Sequence, residues 1–179
     1  VNVFILDADV NKYRGIYYAD DETVVEFNQR FDGRPMKLTW TGKEEFHYVT
    51  GRLREGDTPG LSSHIPVFNA KAVEVLKDLL EPNGELLPIA CDGVGLFLFN
   101  VTRFSDALDE ANCDLVRFDD GRIMIIDRYS FIKAELVGEI AFKLRQEPLS
   151  WVYVTDPFVE RVRVAKLKGF EFRLVWSSQ

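Results

Sequence analysis

The sequence predicts an α+β fold, mainly antiparallel sheet with two principal helices and a small β-rich N-terminal lobe, and three observations carry that expectation. The stretch from Trp151 to Trp176 reads as strand, capped helix, strand. Two turn signals, Asp92-Gly93 and Asp119-Asp120-Gly121, each separate short apolar runs, the pattern of a β-hairpin. Val73, Leu76 and Leu80, with Ala72 and Leu79, form one apolar stripe at helical spacing.

The C-terminal unit is the most consistent. Trp151 to Val154 is β-branched and aromatic, hence a strand. Asp156 is placed to cap a helix that starts at Pro157, because proline lacks a donor that would be orphaned there anyway. Phe158, Val162 and Ala165 recur at i, i+4 and i+7. Lys166 and Lys168 suit the negative end of the helix dipole, and Gly169 supplies a left-handed stop, so the helix is expected over 156–168. Phe170, Phe172 and Leu174 then alternate with Glu171, Arg173 and Val175. Phe158, Val162, Phe170 and Phe172 are expected to be buried against the sheet.

In the middle of the chain, Asn69 can cap the striped helix, expected over 69–81 and ended by Pro82-Asn83-Gly84. Glu85 to Ala90 and Leu96 to Val101 are the strands of the first hairpin, and Pro88 inside the former points to an edge or bulge. Leu115 to Phe118 and Arg122 to Ile126 are those of the second. Ser105 to Glu110 fits one helical turn, Phe131 to Val137 a short helix and Ala141 to Leu144 a short strand.

The N-terminal signals are short and broken. Val3 to Leu6, Ile16 to Tyr18, Val24 to Phe27, Lys37 to Trp40 and Phe46 to Val49 are read as strands, with turns at Asp20-Asp21 and Asp32-Gly33-Arg34-Pro35. Glu55 to Ser63 clusters Gly, Pro, Asp and Ser without periodicity, a loop. The expected division is a β-rich lobe over 1–60 and an α+β domain over 61–179.

Composition narrows the function. A chain of 179 residues, 46% hydrophobic with fourteen Phe, can bury a core without metal or disulfides. A net charge of −7 disfavours binding to nucleic-acid phosphates. The basic group Arg161, Arg163, Lys166 and Lys168 reads as a solvated helix face. No apolar run reaches the ~20 residues of a membrane span. The opening Val-Asn-Val-Phe-Ile-Leu-Asp is too short and lacks the basic flank of a signal peptide, so a cytoplasmic location is expected. Cys91 and Cys113 lack zinc spacing.

Residues with catalytic chemistry are sparse. His47 lies in a strand among aromatics, and His64 ends a serine loop; adjacency to serine does not make a triad, and no G-x-S-x-G occurs. The two histidines lack metal spacing, and the glycines around Asp92 lie between strands rather than before a helix. No cofactor or metal is expected. Asp106 and Asp109 share a face with Arg103 near, a pairing that suits acid–base work but more readily a salt-bridged turn. Asn100 ends a strand, where its amide can tie down a neighbouring backbone. Trp40 is either core or an interface anchor, with core favoured.

From Ile65 to about Trp176 the chain resembles a bacterial family of immunity proteins for polymorphic toxins, of myxobacterial type. The resemblance rests on Ile65-Pro-Val-Phe68, Glu85-Leu-Leu-Pro-Ile89, Phe99-Asn-Val-Thr102 and Asp106-Ala-Leu-Asp109. It continues through Phe118-Asp-Asp-Gly121, Val152-Tyr-Val-Thr-Asp156, Phe158 and Gly169-Phe-Glu-Phe172. It implies a non-catalytic protein that binds and neutralises a cognate toxin, encoded by a neighbouring gene. The acidic balance is compatible with a basic toxin surface and steered association. Specificity for one toxin would be written where the chain departs from the shared pattern, so the candidate contact residues are Asp20, Asp21, Glu22, Trp40, Glu44 and Glu45. The alternative expectation is a small-ligand-binding domain or an enzyme with a cleft around Asn100, Arg103, Asp106 and Asp109; a third is an accessory scaffold of a secretion system. Oligomeric state is not read from the sequence.

Overall fold

Two five-stranded sheets and a separate hairpin organise the chain, in strand orders β12-β1-β11-β10-β7, β2-β3-β5-β6-β4 and β8-β9. The computed structural model describes residues 1–178. In chain order the elements are β1 (Asn2–Ala8), β2 (Ile16–Tyr18), α1 (Val24–Gln29), β3 (Glu45–Tyr48), β4 (Val67–Asn69), α2 (Ala70–Leu80), β5 (Gly84–Cys91) and β6 (Val94–Val101). There follow β7 (Phe104–Ser105), β8 (Asp114–Arg117), β9 (Ile123–Arg128), β10 (Ala141–Leu144), β11 (Val152–Thr155), α3 (Asp156–Val164) and β12 (Phe170–Ser177). Strand pairing is antiparallel except for β3 with β5 and β10 with β7. The fold is α+β and sheet-dominated, as the sequence predicts.

Side-chain alternation divides the core into layers. Leu6 of β1, Val152 and Val154 of β11, Phe68 of β4 and Phe99 of β6 enclose α2 and α3 between the two sheets. The opposite face of the first sheet, carrying Val3, Ile5, Phe142 and Tyr153, is covered by the β8-β9 hairpin and Phe131. The opposite face of the second, carrying Phe46, Leu87 and Leu98, is covered by α1 through Phe27 and Phe31.

The well-signalled elements form as expected. The Asn69 side chain accepts the Ala72 amide at 2.8 Å and caps α2. Asp92 (φ 47°) and Gly93 (φ 83°) both take left-handed conformations in the β5-β6 turn, the geometry of a two-residue type I′ hairpin. Pro88 lies beyond the short β3 pairing, where β5 is open, and its carbonyl accepts the Trp40 indole at 2.9 Å.

Other expectations are corrected. Val24 to Phe27 opens helix α1 and is not a strand. The Asp20 carboxylate accepts the Glu22 and Thr23 amides and the Thr23 hydroxyl, which turns the chain into a helix that buries Phe27 and, one turn on, Phe31. These contacts override the strand preference of Val24 and Val25. Lys37 to Trp40 is a turn, because the Met36 and Lys37 amides donate to the Glu85 carboxylate instead of to a strand. Around Ser105 to Glu110 the chain forms β7 and then a 3₁₀ turn at Glu110–Asn112, not one α-helical turn.

Asp156 does not cap its helix; it is the first residue of α3, and its carboxylate receives the Asn2 amide at 2.7 Å and the Asn2 side chain at 2.8 Å. The helix stops at Val164 and not at 168, because Lys166 already takes the left-handed conformation, φ 54°. Phe158 and Val162 are buried, whereas Phe170 and Phe172 are only half-buried, since β12 is an edge strand.

The sheets also run across residue 60. β1 sits between β11 and β12, paired over residues 2–8, while β2 and β3 continue the sheet of β4, β5 and β6. The strands of the N-terminal stretch are thus shared between both sheets.

Candidate protein-binding surface

The sequence-chosen acidic residues meet at one end of β2 and β3. The Ala19 amide donates to the Glu45 carbonyl at 2.9 Å, which brings Asp20, Asp21 and Glu22 beside Glu44 and Glu45. Asp21, Glu22 and Glu45 are exposed. Asp20 is also exposed but structurally engaged: the Thr23 hydroxyl above all, with the Glu22 and Thr23 amides, holds its carboxyl below the usual range. Glu44 pairs with Arg30 at 2.9 Å and is largely covered. Trp40 is half-buried: its indole donates to Pro88, the Arg30 guanidinium lies 5.2 Å over its ring, and Phe31 meets it edge-on. Of the six residues, Asp21 and Glu22 present unengaged charge, Glu45 lies 3.3 Å from His47 Nε2, Asp20 ties the turn that leads into α1, and Glu44 and Trp40 hold Arg30 between them.

The surface rests on a polar clasp that the sequence reading missed. Four side chains from distant positions hold the chain from Asn28 to Lys37. His64 lies 3.0 Å from the Asn28 carbonyl through Nε2, Lys143 of β10 donates to the Phe31 carbonyl, and Asn100 of β6 donates to the Arg34 carbonyl at 2.9 Å. Glu85 of β5 accepts the Met36 and Lys37 amides and the Asn100 amide. Because Nε2 faces a carbonyl it carries the proton, so Nδ1 accepts from the Ser62 hydroxyl at 3.0 Å. Burial, with Lys143 adding to it, pushes His64 below its ordinary value. Burial likewise lowers Lys143 to about 8, although Asp32 opposes the shift. Gly33, at φ 95°, is required here, since a Cβ would stand 2.4 Å from the Phe104 ring. No local pattern announces any of this; a lysine among the apolar residues of Ala141 to Leu144 is the one hint.

The residues of the alternative cleft are each committed elsewhere. Asn100 is buried in the clasp, with its Oδ1 unpartnered. Arg103 forms a two-pronged pair with Glu139 at 2.9 and 3.1 Å. Asp106 pairs with Arg145 at 2.9 Å, and Asp109 accepts from Asn112 at 2.7 Å. His47, in β3, lies 2.7 Å from Asp92, whose carboxylate chiefly raises the imidazole above its ordinary value. Both cysteines are free, and burial lifts the Cys91 thiol to about 11, away from nucleophilic duty. Among the described residues, no group of three or more His, Cys, Asp or Glu side chains is arranged to hold a metal, and no helix is long and apolar enough to cross a membrane.

A second surface was not singled out from the sequence. A cleft of about 340 Å³ is lined by Met124, Ile125, Trp151 and Arg173, with Glu147 at its floor. Burial raises the Glu147 carboxyl, and the Tyr153 hydroxyl donates to it. Beside the cleft, Val116, Phe118, Met124 and Ile125 leave the β8-β9 hairpin with an exposed apolar side. In sequence, Ile123 to Ile126 is a continuous apolar run, so its exposed residues look like core.

Residues 92–176, from the β5-β6 turn to the end of β12, match the model of an immunity protein family, described as Immunity protein family (Imm11). The resemblance read from Ile65 onward is thereby shown over its C-terminal part, and a toxin-immunity role is what that family suggests. No curated protein matches the chain. The matched stretch holds the alternative cleft residues and the apolar hairpin; the acidic residues between Asp20 and Glu45 precede it.

Proposed function

We propose that this chain is a non-catalytic immunity protein that binds a cognate bacterial toxin in the cytoplasm and neutralises it by covering its active or substrate surface, the toxin being encoded by a neighbouring gene. The family match over 92–176 is the observation that carries this reading. The committed state of Asn100, Arg103, Asp106 and Asp109, each bonded within the fold, supports binding over catalysis at that alternative site. The contact is the acidic end of β2 and β3, built from Asp20, Asp21, Glu22, Glu44 and Glu45, with Trp40 anchoring Arg30 behind it. A net charge of −7 suits a basic toxin face and salt-sensitive, steered association.

Co-expression with the neighbouring gene product tests the reading. If that product is toxic, the wild-type chain restores growth. Reversing Asp21, Glu22 and Glu45 to Lys leaves the Asp20 turn intact and weakens the rescue. Undiminished rescue removes the acidic end from the interface and turns attention to the apolar hairpin; absence of binding to any neighbour-encoded protein counts against immunity itself.

A further inference from the structure

β12 is the long unprotected edge of this fold. The other outer strands of the two large sheets are short: three residues in β2, three in β4 and two in β7. β12 runs for eight residues with β1 on one side only. Folded proteins blunt such edges with proline, bulges or repelling charge, because unpaired backbone groups template pairing with another chain. β12 has no proline, and its register shift against β1 falls beyond Leu174, leaving 170–174 regular.

The direction of its free groups follows from one hydrogen bond. The Asp9 amide donates to the Gly169 carbonyl at 2.8 Å, so Gly169 points its backbone toward β1. Backbone groups alternate along a strand, so Glu171 and Arg173 also point inward, while the N–H and C=O of Phe170, Phe172 and Leu174 point outward. Among the described residues, no loop backbone takes these outward groups. Their side chains read Phe-Glu-Phe-Arg-Leu, with Leu174 55% exposed and neither Glu171 nor Arg173 in an ion pair among the described residues.

We propose that β12 pairs antiparallel with β12 of a second copy of this chain, about a two-fold axis at Phe172, to join the two first sheets into one continuous sheet. This register makes the strand complementary to itself. Phe172 meets Phe172 of the second copy, and Phe170 meets Leu174 in both directions, covering the exposed leucine on the side of α3. Glu171 meets Arg173 twice on the opposite side, where opposite charges directly across a strand pair attract and like charges repel. Phe172 has outward backbone groups, so centring on it also brings every outward N–H opposite an outward C=O: the three residues of each copy exchange six hydrogen bonds. A shift by one residue would set inward-pointing groups against outward ones and lose both the bonds and the charge pairing. A symmetric contact of this kind closes on itself and stops at two copies.

The register is tested by charge swapping, read by sedimentation equilibrium of the full chain, with circular dichroism to confirm folding. Wild type sediments as a dimer. Arg173→Glu places Glu opposite Glu twice, Glu171→Arg places Arg opposite Arg twice, and each weakens self-association by about tenfold or more. Mixing the two variants restores a dimer, since every facing pair is then opposite in charge, and this rescue excludes simple misfolding. The double exchange E171R with R173E dimerises like wild type. A wild-type chain that is monomeric at roughly 100 μM, where a micromolar Kd leaves little free monomer, overturns the proposal; so does a dimer indifferent to both single variants, or single variants that fail to associate when mixed.

Discussion

The α2-α3 layer and the segment from Asn28 to Lys37 both lie between elements of the two large sheets, but different forces hold them. The helices are enclosed by aliphatic and aromatic side chains from both sheets, with one ion pair, Arg161 to Asp78, at their border. The segment is held by His64, Lys143, Asn100 and Glu85, each satisfying a backbone group of a stretch with little regular structure. Apolar layers tolerate local adjustment, because burial is non-directional. Polar clasps do not, because a buried donor or acceptor left without its partner costs its full desolvation. The segment that follows α1 is therefore pinned in one shape although, apart from Phe31, it contributes little to the apolar core. In the proposed reading, that rigidity holds the acidic contact surface carried on the turns to either side of it.

The apolar side of this comparison gives the largest expected effect. Phe158 is fully buried among α2, β12 and both sheets, so Phe158→Ala should lower unfolding free energy by about 3–5 kcal/mol. Phe170 stacks on Phe68 and Phe172 but is half-buried, so Phe170→Ala should cost about half as much, roughly 1.5–2.5 kcal/mol. Urea denaturation of both variants measures the difference. Equal losses would mean that β12 is covered, as it would be within a dimer, and the comparison should then be repeated across protein concentrations.

Lys143 gives the next effect, and it is pH-dependent. Burial depresses its folded-state value to about 8, below the ordinary lysine value of the unfolded chain. Between these two values the unfolded chain binds more protons than the folded one, so this residue's contribution makes stability rise with pH. Below about 8 both states are protonated, and the cost of the buried charge is borne in full. Cys91 and Tyr153, raised by burial, act in the opposite direction at alkaline pH, so the wild-type curve alone is ambiguous. The difference between wild type and Lys143→Met isolates the lysine. Wild type should gain on the variant by up to about 3 kcal/mol as pH rises from 8 toward 10. A pH-independent difference would show that the ammonium is solvated.

Glu85 comes third. Its carboxylate receives two backbone amides and the Asn100 side chain, so Glu85→Ala should cost about 1–3 kcal/mol. The loss should be local. Hydrogen exchange should accelerate at Met36 and Lys37 and in the turn before Trp40, while α2 and α3 keep their protection. Uniform acceleration over the chain would place Glu85 in the global core instead of in a clasp.

The same contrast explains what the sequence made legible. In β11-α3-β12, the period and the proline at the helix start are local, and the three elements appear in the order those signals predict, although the helix ends at Val164, before the glycine expected to stop it. The type I′ turn at Asp92-Gly93 is equally local. Even there the finer assignment failed at Asp156, because Asn2, 154 residues away in sequence, takes its carboxylate. In the segment from Asn28 to Lys37 the deciding partners are remote: Glu85 is 49 residues from Met36, Asn100 is 66 from Arg34, and Lys143 is 112 from Phe31. Short β-branched runs such as Val24-Val25 then read as strands, although burial of Phe27 and Phe31 makes a helix. Of the candidate surface, the exposed charge was legible, because solvent exposure of Asp21, Glu22 and Glu45 follows from their chemistry. The engagement of Asp20, Glu44 and Trp40 depends on neighbours that only the fold supplies.

The smallest effect separates structure from recognition within one turn. Asp20 and Asp21 are adjacent, equally acidic and both exposed, yet only Asp20 bonds the chain that opens α1. Asp20→Ala should lower the denaturation midpoint, because it frees the Glu22 and Thr23 amides that Asp20 holds, whereas Asp21→Ala should leave the midpoint close to that of wild type. The Asp20 contribution is pH-dependent in a defined direction. Its folded-state value lies below the unfolded one, so its stabilisation is present above the unfolded carboxyl range and is lost as pH falls through the folded value. Toxin association should separate the two only at high salt. Removing either charge weakens steering alike, but Asp21 acts by its charge alone, so its effect should vanish at high salt while that of Asp20 persists through the altered α1. Binding rates for the two variants at low and high ionic strength decide between these roles. If both effects vanish with salt, the Asp20 turn is dispensable to the contact and the surface is electrostatic throughout; if neither does, the acidic end is not where the toxin is steered.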